Sequence, residues 1–293
     1  SNTSCLSIAE LSSAVATPER FVGLHFFHPI DRMDLVEVIS QPATNKESLA
    51  RAADFVLRLG KTPLLVKDGP GFVINRLLVT YLVEVARLLE EPTPANWIEE
   101  AAVEFGMPIG PLQMMDEVGI EVSFTVARLL PPRLGERLTA PSVLERTAAL
   151  GISGKASNIG FYLWENNERR LGLNPELAEK CNYVFATEKC PAEEKARLID
   201  RLFLPMVDEA ARCLEEKVVS RPRDVDLGLV LGIGFPAFRG GLLRYADHLG
   251  LQLVVRKLAT IYSSTPGKRE VCSLLNKYAQ AGRAFYSLSG KEE

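Results

Sequence analysis

Two side chains that could share a proton lie close together near the start of the chain. His25 lies in the apolar stretch GLHFFHP (residues 23–29), and Glu37 lies in the next one, LVEVI (residues 35–39). A carboxylate that accepts a hydrogen bond from one imidazole nitrogen fixes the tautomer and leaves the other nitrogen free to act as a base. The pair therefore predicts general acid–base chemistry.

A purely structural interpretation of the same two residues stays open. A buried histidine is often satisfied by backbone groups, and Glu37 could lie exposed on an edge strand. Burying an unpaired carboxylate among the apolar residues 35–39 would be costly, which favours a partner for Glu37. The two residues alone do not decide between these interpretations.

Two further polar residues could bind a substrate oxygen. Ser4 ends the polar stretch SNTS (residues 1–4), and its hydroxyl could donate a hydrogen bond to a ligand. Asn75 lies at the start of a long segment with helical periodicity, where its amide could hold a hydroxyl or a carbonyl group. The structural alternatives are a helix cap by Ser4 for a segment starting at Ile8, and a capping or core-edge role for Asn75.

Two other patterns carry less weight. His25 and His28 form an HxxH spacing, but positions i and i+3 of a strand point to opposite faces, so we expect no shared metal ion. Residues 232–237 (GIGFPA) fit the loose GxGxxG/A pattern of nucleotide loops. Because Pro236 stands where the following helix should begin, we expect no nucleotide there.

A small α/β segment followed by helices must position these residues. Within residues 1–66 we expect strands at 21–27, 34–39 and 62–67 and an amphipathic helix at 45–59. The loop KDGPG (residues 67–71) marks a boundary. The later expectations are helices at 73–91, 97–105 and 113–129, an aromatic and then polar stretch at 154–174, and further helices from residue 192.

The helical part of the sequence repeats itself. Residues 74–77 (INRL) match 199–202 (IDRL) at an offset of 125, and Glu84, Arg87 and LEE (89–91) recur at that offset. GMP and DEVG recur later as GFP and DHLG at offsets of 128 and 131, as short insertions would produce. Matches in order at these six places indicate two copies of one helical domain. The second copy has Asp200 in place of Asn75, so a function of Asn75 would be lost there.

Composition is ordinary for a globular protein. The 293 residues carry a formal net charge of −3, with 47% hydrophobic and 24% charged residues, which argues against a nucleic-acid-binding surface. We expect no membrane helix and no signal peptide. The five cysteines are scattered and form no CxxC, which indicates reduced thiols and a cytoplasmic location.

Four motifs together resemble the L-3-hydroxyacyl-CoA dehydrogenase family: SNTS, GLHFF-x-P, LVEVI and GPGF-x-x-NRL (residues 69–77). The duplicated helical domain is similar to that of the multifunctional fatty-acid β-oxidation members. The resemblance implies NAD-dependent oxidation of 3-hydroxyacyl-CoA to 3-ketoacyl-CoA. It also implies that His25 takes the hydroxyl proton, that Glu37 orients His25, and that Ser4 and Asn75 bind substrate oxygens.

The resemblance further implies a mostly α fold with a small α/β remnant. The C-terminal strands of a Rossmann NAD-binding domain would occupy residues 1–66. Two tandem, homologous all-α dehydrogenase C-terminal domains would occupy 67–165 and 191–293, joined by a connecting arm at 166–190.

Two departures from the family modify these expectations. The family usually has Asn at the position of His28, so His28 joins the substrate-binding candidates. The family's glycine-rich NAD loop lies upstream of SNTS, so we expect this chain to be incomplete and inactive alone. The expected partners are the acyl-CoA substrate and a second copy or a thiolase subunit. The alternative function is a non-catalytic helical module for assembly of a β-oxidation complex.

Overall fold

The computed structural model describes residues 1–4, 6–138, 141–265 and 269–286. It is rich in helix, with 57% of the described residues helical, and has small sheets, as the sequence predicted. The chain forms two compact units. Unit 1 comprises Ser1–Leu78, Met206–Thr260 and Glu270–Glu293, and unit 2 comprises Val79–Pro205 and Ile261–Arg269.

The strands are β1 (Gly23–Phe26), β2 (Leu35–Ser40), β3 (Thr62–Lys67), β4 (Tyr162–Glu165) and β5 (Arg169–Leu173). The helices are α1 (Ile8–Ser12), α2 (Lys46–Arg58), α3 (Ile74–Glu90), α4 (Ala95–Phe105), α5 (Pro111–Val118), α6 (Ile120–Leu129), α7 (Pro131–Leu134), α8 (Ser142–Ala149), α9 (Pro175–Cys181), α10 (Ala192–Glu215), α11 (Pro222–Ile233), α12 (Leu242–Leu249), α13 (Leu251–Ser264) and α14 (Ser273–Gln280). Among the described residues, none of these helices is long and apolar enough to cross a membrane.

A three-stranded sheet in unit 1 carries the predicted acid–base pair. β2 is its central strand and runs antiparallel to β1 and parallel to β3. Residues 35–39 are buried on both faces, which suits a run that is apolar except for Glu37. The predicted strands are confirmed, and an edge-strand position for Glu37 is wrong.

Helix α2 links β2 to β3 and covers part of this sheet. The Asn45 side chain caps its first turn by accepting a hydrogen bond from the Ser48 amide at 2.7 Å. Val56 lies with Val36 and Val38 in one buried cluster, against which other apolar residues of α2 pack. The helix predicted at 45–59 is therefore confirmed, with Asn45 as its cap.

The single helix predicted at 113–129 is wrong. Two helices, α5 and α6, occupy that stretch of unit 2, and Gly119 separates them with a φ of 102°. Because this backbone conformation is open to glycine but strained for other residues, the chain can turn sharply there. An isolated glycine is also tolerated inside a helix, so the sequence pattern did not reveal the break.

The aromatic stretch after residue 154 forms the β-hairpin β4–β5 in unit 2. Phe161, Tyr162 and Trp164 are buried, whereas Glu165 and Arg169 are exposed. The aromatic-then-polar order of this stretch therefore separates its buried side chains from its exposed charges.

Two buried carboxylates of unit 2 hold this hairpin. Glu99 on α4 accepts a hydrogen bond from the Tyr162 hydroxyl at 2.7 Å. Asp116 on α5 accepts the Tyr162 amide at 2.8 Å and the Trp164 indole N–H at 2.9 Å. In unit 1, Asp226 on α11 likewise accepts the Tyr286 hydroxyl at 2.6 Å.

Burial raises the pKa of the Glu99 carboxyl to about 7, against hydrogen bonds from Tyr162 and from the Leu112 amide that favour the ionised form. Burial likewise raises the pKa of Asp116 to about 6. A carboxyl whose pKa is higher in the folded state binds its proton more tightly there than in the unfolded chain. The contribution of Glu99 to the free energy of unfolding is therefore full below its ordinary pKa of 4.5. That contribution is lost as the pH rises through about 7.

Replacing Glu99 by Gln should remove this pH dependence. Glutamine keeps the shape of the protonated acid and cannot ionise. The free energy of unfolding of the variant, relative to that of the wild type, should therefore rise by about 3 kcal/mol when the pH is raised from about 5 to about 8. Urea unfolding of both proteins at the two pH values measures the difference. Glu104→Gln, an exposed change on the same helix, is the control. An equal stability difference at both pH values would contradict the prediction.

Candidate active site

His25 and Glu37 form a buried hydrogen-bonded pair in unit 1. The antiparallel register of β1 and β2 places the two residues directly opposite each other. The Nδ1 atom of His25 lies 2.8 Å from Oε2 of Glu37, and the two residues are 4% and 0% exposed. At this distance the pair shares one strong hydrogen bond, and the alternative in which each side chain is satisfied separately is wrong.

The second oxygen of Glu37 is also occupied. Its Oε1 accepts hydrogen bonds from the amides of Val73 at 3.0 Å and Ile74 at 3.1 Å, where α3 begins. Free amides at a helix start favour a negative charge. Glu37 is thus fixed as an acceptor on both oxygens, so Nδ1 of His25 carries the proton and Nε2 presents its lone pair.

Ser4 lies on the open side of the imidazole. Its Oγ is 3.2 Å from Nε2 of His25, and its carbonyl oxygen accepts a hydrogen bond from Nδ2 of Asn75 at 3.3 Å. The structure therefore brings Ser4, His25, Glu37 and Asn75 together. Ser4 does not cap the helix at Ile8, because Ser7 accepts the hydrogen bond of that first turn.

Two aromatic rings that the sequence analysis did not single out pack against the imidazole. The ring centroids of Phe27 and Phe72 lie 4.6 Å and 5.8 Å from that of His25. Phe72 has a φ of 52°, which is uncommon for a bulky residue, and it follows Gly71, whose φ is 70°. The GPG sequence before Phe72 signalled an unusual turn, but the position of its ring depends on the tertiary fold.

His28 lies apart from this chain of hydrogen bonds. It is exposed after β1 and precedes a cis peptide bond to Pro29. Within the described residues no hydrogen bond joins it to Ser4, His25 or Asn75. A substrate contact by His28 stays a prediction.

The arrangement suits proton transfer to and from an oxygen. The lone pair of Nε2 can accept a hydroxyl proton, and the buried carboxylate behind Nδ1 stabilises the imidazolium that forms. The Ser4 hydroxyl lies beside the same nitrogen, and the Asn75 amide lies next to Ser4, so both could hold the reacting oxygen. Such a set fits the oxidation of an alcohol or the reduction of a ketone.

The family comparison agrees with this chemistry. Residues 1–69 match the family described as 3-hydroxyacyl-CoA dehydrogenase, NAD binding domain. Residues 71–164 and 198–287 match the family described as 3-hydroxyacyl-CoA dehydrogenase, C-terminal domain. The two matches together cover most of the chain, and both describe a dehydrogenase. The chain belongs to the 3-hydroxyacyl-CoA dehydrogenase family, as its motifs predicted.

Curated relatives carry a more particular name. The chain is similar to the fatty acid oxidation complex subunit alpha of Shewanella amazonensis, with 37% identity over 286 residues, 98% of this chain and 40% of that protein. The subunit of the same name from Idiomarina loihiensis is 38% identical over 97% of this chain and 40% of its own length. The chain thus spans about 40% of the length of these relatives.

Solved structures show the same likeness. The 3-hydroxybutyryl-CoA dehydrogenase of Escherichia coli K12 matches with a TM-score of 0.80 and 26% identity, over 96% of this chain and 75% of that one. The dehydrogenase part of multifunctional enzyme 1 from Caenorhabditis elegans matches with a TM-score of 0.62 and 26% identity. That match covers 94% of this chain and 63% of the other.

Proposed function

We propose that this chain carries the proton-transfer half of an L-3-hydroxyacyl-CoA dehydrogenase of fatty-acid β-oxidation. The observation that carries the proposal is the continuous hydrogen-bonded series from Glu37 through His25 to Ser4, with Asn75 beside it. In the reaction, 3-hydroxyacyl-CoA is oxidised to 3-ketoacyl-CoA.

The four residues have distinct roles in this proposal. Nε2 of His25 accepts the proton of the substrate 3-hydroxyl, and the buried Glu37 carboxylate stabilises the resulting imidazolium. Ser4 and Asn75 hold the substrate oxygen against Nε2. Microscopic reversal returns the proton to the ketone oxygen when the reaction runs as a reduction.

The chemistry of these side chains fits an NAD-dependent site. The oxidation of a secondary alcohol releases one proton and one hydride, and the described side chains offer a proton acceptor but no hydride acceptor. NAD, when bound, supplies that acceptor. The match of residues 1–69 to the NAD binding domain supports the same cofactor.

The helical part supports the multifunctional type of enzyme. We infer that residues 67–165 and 191–293 are two copies of one domain, joined by the arm 166–190. Two ion pairs at matched positions of the repeat support the duplication, Arg76 with Glu209 and Arg201 with Glu84. The two carboxylate–tyrosine hydrogen bonds described above support it as well. The same proposal includes an acyl-CoA substrate, a cytoplasmic location, and a second copy or a thiolase as partner.

Turnover in the full-length protein that carries this chain tests the function. We expect it to oxidise NADH with acetoacetyl-CoA and to reduce NAD⁺ with a 3-hydroxyacyl-CoA. A folded protein that binds NADH but turns over neither substrate would contradict the dehydrogenase. That outcome would favour the non-catalytic assembly module.

A further inference from the structure

The position of Glu37 depends on the first turn of α3. Its Oε1 is held by the amides of Val73 and Ile74, and the same turn carries Asn75. A shift of this turn would therefore move the carboxylate and a proposed substrate-binding amide together. The contacts that fix this turn therefore also position half of the site.

Glu209 on α10 and Glu216, directly after this helix, fix the turn from one side. Arg76 is 1% exposed, and its Nε donates to Oε1 of Glu209 at 2.6 Å. Its terminal nitrogens donate to both oxygens of Glu216 at 2.6 and 3.0 Å. These bidentate contacts allow the guanidinium one orientation, which holds the backbone of α3 one residue after Asn75.

Helix α11 fixes the same turn by close packing. A methyl group added at Gly232 would lie 2.9 Å from Cδ2 of Leu35 and 3.2 Å from Cγ2 of Ile74. One added at Gly228 would lie 2.8 Å from Cδ1 of Ile74. The two glycines thus let α11 approach both the strand of Glu37 and the helix start that holds Glu37.

A buried thiol on α10 lies near the same charged groups. Burial raises the pKa of Cys213 on α10 to about 12, and the charges of Glu209, Glu216 and Glu37 add to that rise, whereas Arg76 opposes it. The thiol therefore lies within electrostatic reach of the acid–base pair and of the ion cluster. A backbone hydrogen bond also connects the sheet to the segment after α10. The Lys67 amide at the end of β3 donates to the Val218 carbonyl at 2.8 Å.

The matched ion cluster of unit 2 holds no such turn. Arg201 pairs there with Glu84 at 3.3 Å and with Glu91 at 2.9 Å. Its neighbour Asp200, the counterpart of Asn75, lies well inside α10, which begins at Ala192. The same ion cluster therefore stands beside a helix start in one unit and inside a helix in the other.

We propose that α10 and α11, which lack an acid–base pair of their own, position the pair on β1 and β2. Glu209 and Glu216 hold Arg76, the glycines of α11 seat Ile74, and the turn so fixed holds Glu37. The proposal rests on the dehydrogenase function proposed above. Arg76, Glu216 and Gly232 are positioning residues within it, and none of them touches the substrate.

Two variants of the full-length protein test the proposal, each with a matched control. Glu216→Gln weakens the hold on Arg76, and Glu91→Gln makes the same change in unit 2. Gly232→Ala pushes against Leu35 and Ile74, and Gly172→Ala adds a methyl group to open space in β5. Hydrogen exchange at the Val73 and Ile74 amides reports on the turn without needing turnover. Steady-state kinetics report kcat and KM separately.

We expect Glu216→Gln and Gly232→Ala to speed exchange of the two amides and to lower kcat about tenfold with little change in KM, because misplacing the base affects reaction more than binding. The controls should change none of these quantities. Unchanged exchange in a folded Glu216→Gln protein overturns the positioning role, whatever its kcat. Faster exchange in the two variants, combined with no turnover by the wild type, would keep the positioning role and reject the proposed function.

Discussion

Glu37→Gln should lower kcat by about 10³- to 10⁴-fold while the protein stays folded, the scale seen when the carboxylate behind a catalytic imidazole becomes an amide. The amide oxygen can still accept from Val73 and Ile74, which occupy Oε1 of Glu37. Its NH₂ group then faces Nδ1 of His25 and can only donate. The imidazole must protonate on Nε2 instead, so the nitrogen that faces Ser4 loses its lone pair.

The measurement is kcat for 3-hydroxyacyl-CoA oxidation in the full-length protein, with circular dichroism and urea unfolding as checks of the fold. His25→Ala should cost a comparable factor, about 10²- to 10⁴-fold, because it removes the base itself. His248→Ala, an exposed histidine on α12, is the matched control and should keep normal turnover. A Glu37→Gln enzyme within tenfold of the wild type would rule out the assigned tautomer.

The contact between His25 and Glu37 could be predicted from the sequence for a simple geometric reason. Residues on neighbouring antiparallel strands pair face to face, so two polar residues in two buried apolar runs become candidates for contact. The register that aligns His25 with Glu37 depends on the connection between the strands, which the alternation of apolar residues does not fix. For Ser4 and Asn75, residue type left substrate binding and capping both open, and the family resemblance favoured substrate binding.

Other parts of the site depend on long-range packing. The amides that hold Glu37 come from residues 36 and 37 positions later in the chain. No local pattern can indicate that a helix start will meet a strand at this carboxylate. The contacts of Arg76 span 133 and 140 positions, and only the repeat hinted at them by matching arginine and glutamate positions in the two copies.

Arg76→Met should destabilise the protein by about 3–5 kcal/mol, the usual cost of leaving one member of a buried ion pair without its partner. Arg76 and Glu209 are 1% and 2% exposed, so water cannot solvate the remaining carboxylate. Arg212 lies farther from Glu209 than Arg76 does, with its Nε 3.9 Å from Oε2 of that carboxylate. Urea unfolding of the variant measures the loss.

The matched variant Arg201→Met should cost less, although the two arginines occupy equivalent positions of the repeat. Its partner Glu84 is also held by Arg87 at 2.5 Å and by Arg269, so the carboxylate keeps cations when Arg201 is removed. The double variant Arg76→Met with Glu209→Met should recover much of the loss, because replacing a whole buried pair by apolar side chains removes the stranded charge. Equal losses for the two single variants would show that the number of cations around each glutamate does not set the cost. Because Arg76 also holds the first turn of α3, the double variant should regain stability without regaining kcat, which separates the cluster's contribution to folding from its hold on the acid–base pair.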